Sequence, residues 1–205
     1  MMNVIEKCKV SRETVDGLKT YQQLVLEWNH RFNLISKQSE AVIWERHILD
    51  SLQLCEYIKA QDEILLDLGA GAGFPGIVIA IAAKQLFPKL TIHLVESIAK
   101  KVSFLNMVKD TLELNVIVHH DRIENIKLKN VDIITSRALA SLPKLLEYSI
   151  PFCNKNTKML FLKGEKWESE VREALQLRNF EFTAISSQTD EKGKILYINK
   201  LGDEI

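Results

Sequence analysis

Four glycines, Gly69, Gly71, Gly73 and Gly76, crowd into the stretch ILLDLGAGAGFPG at residues 64–76. Fixing a glycine costs conformational entropy, so a cluster directly after an apolar run marks a place where the main chain turns sharply or is approached closely. Pro75 suits the first turn of a following helix, where its missing N–H costs nothing. Three further stretches carry side chains able to meet a ligand at such a loop. Glu96 ends TIHLVE, where a carboxylate can accept both hydroxyls of a ribose. Ile123 and Glu124, in VHHDRIEN, can pack on a flat ring and address its edge. Ser136 and Arg137 follow VDIIT, and the arginine fork can meet a carboxylate, a phosphate or the acceptor edge of a guanine. His119 and His120 are adjacent on a strand and point to opposite faces, so no metal site is expected.

Two cofactor classes fit the loop. Gly71-x-Gly73-x-x-Gly76 matches the dinucleotide fingerprint, with Glu96 twenty residues further on as its ribose partner. In that fingerprint, however, the first glycine follows the strand directly. Here that place belongs to Gly69, whose register ends on Phe74. The run Asp67-Leu68-Gly69-x-Gly71-x-Gly73 resembles instead the first motif of S-adenosylmethionine-dependent methyltransferases. Such a ligand has an amino acid end whose ammonium needs acceptors and whose carboxylate needs donors, and Asp67 is expected near that cation. For the methyl acceptor, the fourth strand shows no Asn/Asp-Pro-Pro-aromatic motif, and Cys153 in IPFCNK is not placed as a nucleophile for a pyrimidine carbon. An acceptor that already carries a lone pair, such as guanine N-7, needs only placement. No catalytic acid or base is expected, and Arg137 is the candidate for positioning.

The elements that must hold these residues can be read from periodicity. Val15, Leu18, Tyr21, Val25, Trp28 and Phe32 recur at helical spacing from Ser11 to Ile35, and a second helix is expected over residues 40–58. After residue 60, strands are expected at 64–68, 91–95, 116–119, 131–135, 158–162, 180–186 and 195–199. Helices are expected at 75–87, 99–112, 141–152 and 165–177. This alternation predicts an α/β fold of the Rossmann-like type, a doubly wound seven-stranded sheet closed by a hairpin. A helical extension over residues 1–60 precedes a methyltransferase-type domain over 61–205. Three cysteines, odd in number and far apart, argue against disulfides or zinc. No apolar run reaches the roughly 20 residues of a membrane span, and a cytoplasmic location is expected. The 27 basic and 27 acidic side chains cancel, so any nucleic acid must be met by a local patch.

Several stretches, in order and spacing along nearly the whole chain, resemble the ribosomal small-subunit methyltransferase G family, also called glucose-inhibited division protein B. They are WNHRFNLIS (28–36), ERHILDSL (45–52), LDLGAGAGFPGI (66–77), VESIAKKVSFL (95–105), SRALASL (136–142) and FLKG (161–164). The resemblance implies methylation by S-adenosylmethionine of N-7 of one guanine in the 530 loop of 16S rRNA, within the 30S subunit or its precursor. A small-molecule methyltransferase of the same fold is the alternative. It also implies that Gly69, Phe74, Ile123, Glu124 and Arg137 occupy cofactor-binding positions; Gly71 and Glu96 join them from the loop argument. Arg31, Arg46, His47 and Lys163 are candidates for RNA contact, with His30, Lys37, Arg122 and Lys166 beside them. A monomer is the expected state. Lys100-Lys101 departs from the family's common Lys-Arg, and Ser36 from its common Thr.

Overall fold

The computed structural model describes residues 4–204; Met1–Asn3 of the expected extension over 1–60, and Ile205, lie outside the described residues. The chain opens with α1 (Val4–Lys7), α2 (Arg12–Phe32) and α3 (Lys37–Glu40). Ser11 caps α2 by accepting from the Thr14 N–H at 3.2 Å, and Asn33 ends it in the left-handed region at φ 50°. Thr14, Leu18, Tyr21, Val25 and Asn29 form its buried stripe, close to the one that the spacing predicts.

The expected helix over 40–58 is not one α-helix. A π-helical turn at Trp44–Leu49 runs into α4 (Asp50–Leu52) and then a 3-10 turn at Gln53–Tyr57. Apolar periodicity sees which side is buried and is blind to such changes of winding, while the Ser51 hydroxyl draws on the His47 carbonyl at 2.6 Å.

The sheet follows with β1 (Ile64–Leu68), α5 (Gly76–Leu86), β2 (Thr91–Glu96), α6 (Ala99–Thr111), β3 (Val116–His120), β4 (Ile133–Arg137), α7 (Leu142–Ser149), β5 (Lys158–Lys163), α8 (Trp167–Leu177), β6 (Arg178–Ser186) and β7 (Lys194–Glu204). Its order is β3-β2-β1-β4-β5-β7-β6, parallel through β5, with β7 inserted antiparallel beside β5. The seven strands and the closing hairpin are those expected. β4 alone is displaced, by two residues, so Ser136 and Arg137 lie inside the strand rather than after it.

Alternating side chains build a core on each face of the sheet. Leu65, Ile92, Leu94, Ile133 and Leu160 face α2, residues 43–58, α5 and α6 in one cluster. Leu66, Val95, Ile134, Met159 and Phe161 face α7 and α8 in the other. The N-terminal segment therefore packs into the same core as the sheet. The buried ion pair between Lys158 and Asp62, 2.6 Å, ties the two at the bottom of the sheet. No helix among the described residues is long and apolar enough to cross a membrane.

Candidate functional site

Strand order reverses between β1 and β4, which splays the connections at their carboxyl ends into a crevice. The glycine loop fills the β1 exit. Gly69, Gly71 and Gly73 have φ of 68°, 59° and 102°, a region other residues enter only with strain. The reasons differ by position. A Cβ on Gly69 would meet Leu139 Cδ1 at 2.5 Å, and one on Gly73 would meet Ile77 and the Tyr21 hydroxyl. One on Gly76 would strike Leu94 and stand 2.8 Å from Asp67 Oδ2, whereas one on Gly71 would meet only the Gly69 carbonyl at 3.8 Å and otherwise project into the crevice.

Hydrogen bonds fix this loop from three directions. Glu96 accepts from the Gly71 N–H through Oε2 and from the Ile98 N–H through Oε1, both at 2.9 Å. Each oxygen keeps a second lone pair toward the crevice. The Ala70 N–H donates to the Val95 carbonyl at 2.9 Å, and the Tyr21 hydroxyl of α2 donates to the Ala72 carbonyl at 2.6 Å. Phe74 is clamped between Tyr21, centroids 5.3 Å apart, and the His47 ring, stacked at 4.8 Å.

Asp67 does not stand where a ligand's cation was expected. It is fully buried, accepts from Thr135 Oγ1 at 2.9 Å and from the Gly76 N–H at 3.0 Å, and takes no part in the crevice wall. Burial pushes its carboxyl up to about 7, against the two hydrogen bonds that lower it. Its work is to fasten the start of α5 to β1 and β4.

Gly69, Gly71, Phe74, Glu96, Ile123, Glu124 and Arg137 all line one cleft of about 730 Å³. Ile123 and Glu124 sit on a 3-10 turn after β3, with Ile123 buried and Glu124 exposed. Leu34, Ile35, Ser36, Ser39, Arg46 and His47 complete the wall from the N-terminal segment, a contribution that depends on tertiary packing and that periodicity cannot reveal. A second cleft of about 1140 Å³ lies alongside, and Arg46, Arg137, Ala138 and Leu139 belong to both. Ala138 bends there at φ 53°, and Leu139 is left 37% exposed over Gly69.

Arg137 is the best-held cation of the site. Its Nη2 donates to the Arg46 carbonyl at 2.6 Å, and its Nε stands 3.6 Å from Asp50 Oδ2. Burial works against its charge, and Asp50 restores part of it. Asp50 is fixed in turn by Gln53 at 2.8 Å and by the hydroxyls of Ser187 and Thr189 at 3.1 Å, in the loop joining β6 to β7. Sequence pattern gives no role at the site to Asp50, Leu139 or the Ser187–Thr189 loop, and reads Tyr21 only as part of the buried stripe of α2. The one signal for Asp50 was ERHILDSL, which puts polar residues on a largely buried segment.

The basic residues expected at RNA separate into two groups. Arg31 and Arg46 are exposed. Lys163 is instead drawn inward, 2.6 Å from Glu170 and donating to the Ala140 carbonyl at 2.9 Å, in the wall of the second cleft. His47 is not a surface cation at all: burial and the charges of Arg137 and Arg46 pull its pKa down to about 3, so its ring is neutral.

A sequence profile described as rRNA small subunit methyltransferase G matches residues 14–194. A ribosomal RNA small subunit methyltransferase G from Paramagnetospirillum magneticum is 37% identical over 198 residues, spanning 97% of this chain and 94% of the relative. One from Caulobacter vibrioides is 41% identical over 187 residues, 91% of this chain and 85% of the relative. Among solved structures, a SAM dependent methyltransferase from Aquifex aeolicus superimposes with a TM-score of 0.60 at 17% identity, covering 79% of this chain and 94% of the other. A putative O-methyltransferase from Klebsiella pneumoniae gives 0.56 at 14%, covering 88% and 90%. At those identities the two structures speak for the fold.

Proposed function

The chain belongs to the rRNA small subunit methyltransferase G family, and we propose that it transfers a methyl group from S-adenosylmethionine to N-7 of a guanine in the 530 loop of 16S rRNA. The cofactor supplies an electrophilic methyl on its sulfonium. The residues present fit it: a carboxylate, Glu96, stands at the β2 exit for ribose hydroxyls, and buried Ile123 offers an apolar surface for a base. A buried guanidinium nitrogen of Arg137 without a partner awaits an anion.

The observation that carries the reading is the meeting of two clefts at Arg46, Arg137, Ala138 and Leu139. Those four side chains hold and cover; they are suited to bringing an acceptor's lone pair into line with a methyl group and not to removing a proton. Proximity and orientation supply the acceleration, and guanine N-7 needs nothing more of the protein. The larger cleft admits the base, and exposed Arg46 and Lys166 in its wall offer cations to the phosphate backbone despite the neutral total. The substrate is 16S rRNA in the 30S particle or its precursor, and the protein works as a cytoplasmic monomer.

A mass map of 16S rRNA from a strain lacking the gene tests this. Loss of one N-7-methylguanine, restored by the wild-type gene and not by a Gly71→Val copy, is the expected result. An unchanged map would turn the reading toward a small-molecule acceptor.

A further inference from the structure

Among the described residues two buried side-chain atoms lack a hydrogen-bond partner, Arg137 Nη1 and His47 Nε2. Both residues line the smaller cleft, although one comes from the end of β4 and the other from the π-helical turn 90 residues earlier. A buried polar atom left unsatisfied keeps its full desolvation penalty, so two on residues lining one cleft point to a ligand that satisfies them.

Each atom is aimed by its neighbours. The guanidinium is pinned through Nη2 on the Arg46 carbonyl and through Nε beside Asp50, which leaves Nη1 without a partner in the wall of the cleft. The imidazole is laid flat on Phe74, which packs on Tyr21, so its ring plane is set before any ligand arrives. Around them stand Arg46 and Arg137 as cations, Asp50 already taken up by Gln53, Ser187 and Thr189, and Asp67 behind the loop. The cleft's other carboxylates, Glu96, Asp121 and Glu124, come from the β2 and β3 exits, so beside His47 the two arginine charges favour an anion. A neutral imidazole can present Nε2–H, and together with Nη1–H it offers two donors beside a fixed positive charge, which suits one planar anion with two oxygens.

Resting on the cofactor reading above, we propose that His47 Nε2–H and Arg137 Nη1–H together bind the carboxylate at the amino acid end of S-adenosylmethionine, making His47 a cofactor-binding residue rather than an RNA contact. An RNA phosphodiester is the other anion available, but His47 lines only the smaller cleft, which holds the glycine loop and Glu96. The N-terminal segment thereby closes the cofactor site: the donor cleft is complete only when residues 44–49 are docked on the sheet.

The test is titration calorimetry with S-adenosylmethionine and with decarboxylated S-adenosylmethionine, which keeps the sulfonium and the ammonium. In His47→Phe, which preserves a ring on Phe74, affinity for S-adenosylmethionine should fall about tenfold, the loss of one hydrogen bond to a charged group, while affinity for the decarboxylated ligand stays unchanged. His47→Gln, whose amide N–H can reach where Nε2 stood, should recover part of the difference. An equal fall for both ligands would overturn the proposal, because His47 would then act through packing or through the ammonium; no change for either would overturn it as well. Wild-type protein that binds neither ligand would overturn the cofactor reading itself.

Discussion

At the level of single residues the site works by fixing groups, not by titrating them. Arg137 is held by the Arg46 carbonyl and Asp50, and Arg137→Ala removes a charge-assisted contact worth roughly 1.5–3 kcal/mol, so single-turnover methylation of 30S particles should slow about ten- to a hundredfold. Cys153 tells the opposite story. Its Sγ donates to the Ser149 carbonyl at 3.2 Å, and burial pushes the thiol up to about 11, so it is no nucleophile at neutral pH. Cys153→Ala should keep its rate within about twofold in the same assay, since the small volume removed from a half-buried site changes only packing. With His47 near 3 and Cys153 near 11, the rate should stay flat from about pH 6 to 9. Asp67 titrates nearer neutrality but acts on stability. Its carboxyl rises from 3.8 to about 7, so between those values the folded chain holds a proton that the unfolded chain has released. Stability therefore falls as pH rises through that window, and the benefit of the bound proton is gone above it. Asp67→Asn keeps an acceptor for the Gly76 N–H and reverses the Thr135 contact, its amide N–H donating to that hydroxyl, without the ionisation. Thermal melts should show the variant gaining on the wild type between about pH 4 and 7 and no further above that; a constant difference would contradict the assignment.

Elements explain why some of this was legible and some was not. The glycine loop and Ile123-Glu124 follow strands, Glu96 and Arg137 end them, and local pattern finds strands; topology then gathers their ends. β4 was misplaced by two residues because Val131 extends the apolar run before pairing begins, and the correction brings Arg137 onto the rigid sheet. The segment 44–57 was seen as helical but not as a π turn, and the roles of His47 and Asp50 come from that winding and from what it packs against. Within the loop the glycines differ in kind. Gly76→Ala forces a methyl into Leu94 and Asp67, overpacking that costs roughly 1–3 kcal/mol and should show as a lower melting temperature. Gly71→Val meets open space, so most of its effect should be lost cofactor affinity by calorimetry, with a smaller loss of stability from φ 59°.

Across the whole molecule, the N-terminal segment, the sheet and the β6–β7 loop form one scaffold for two adjoining clefts. α2 supplies Tyr21 beneath the glycine loop, Arg46 and His47 supply part of the wall of the smaller cleft, and Ser187 and Thr189 hold Asp50 from the far end of the sheet. The change of pattern at residue 60 sets off a helical extension over 1–60, and Leu18, Tyr21, Val25, Ile48 and Leu52 of that stretch are buried in one core with α5 and the sheet. The balanced charge of 27 basic and 27 acidic residues likewise said little, since a face can be cationic in a neutral protein. The most direct measurement is transfer of a labelled methyl from S-adenosylmethionine to purified 30S particles by the isolated protein, followed by nucleoside analysis of 16S rRNA fragments. Label recovered as N-7-methylguanine in a single fragment containing the 530 loop is the predicted result; label in another nucleoside, or none in rRNA while the protein still binds the cofactor, would contradict it.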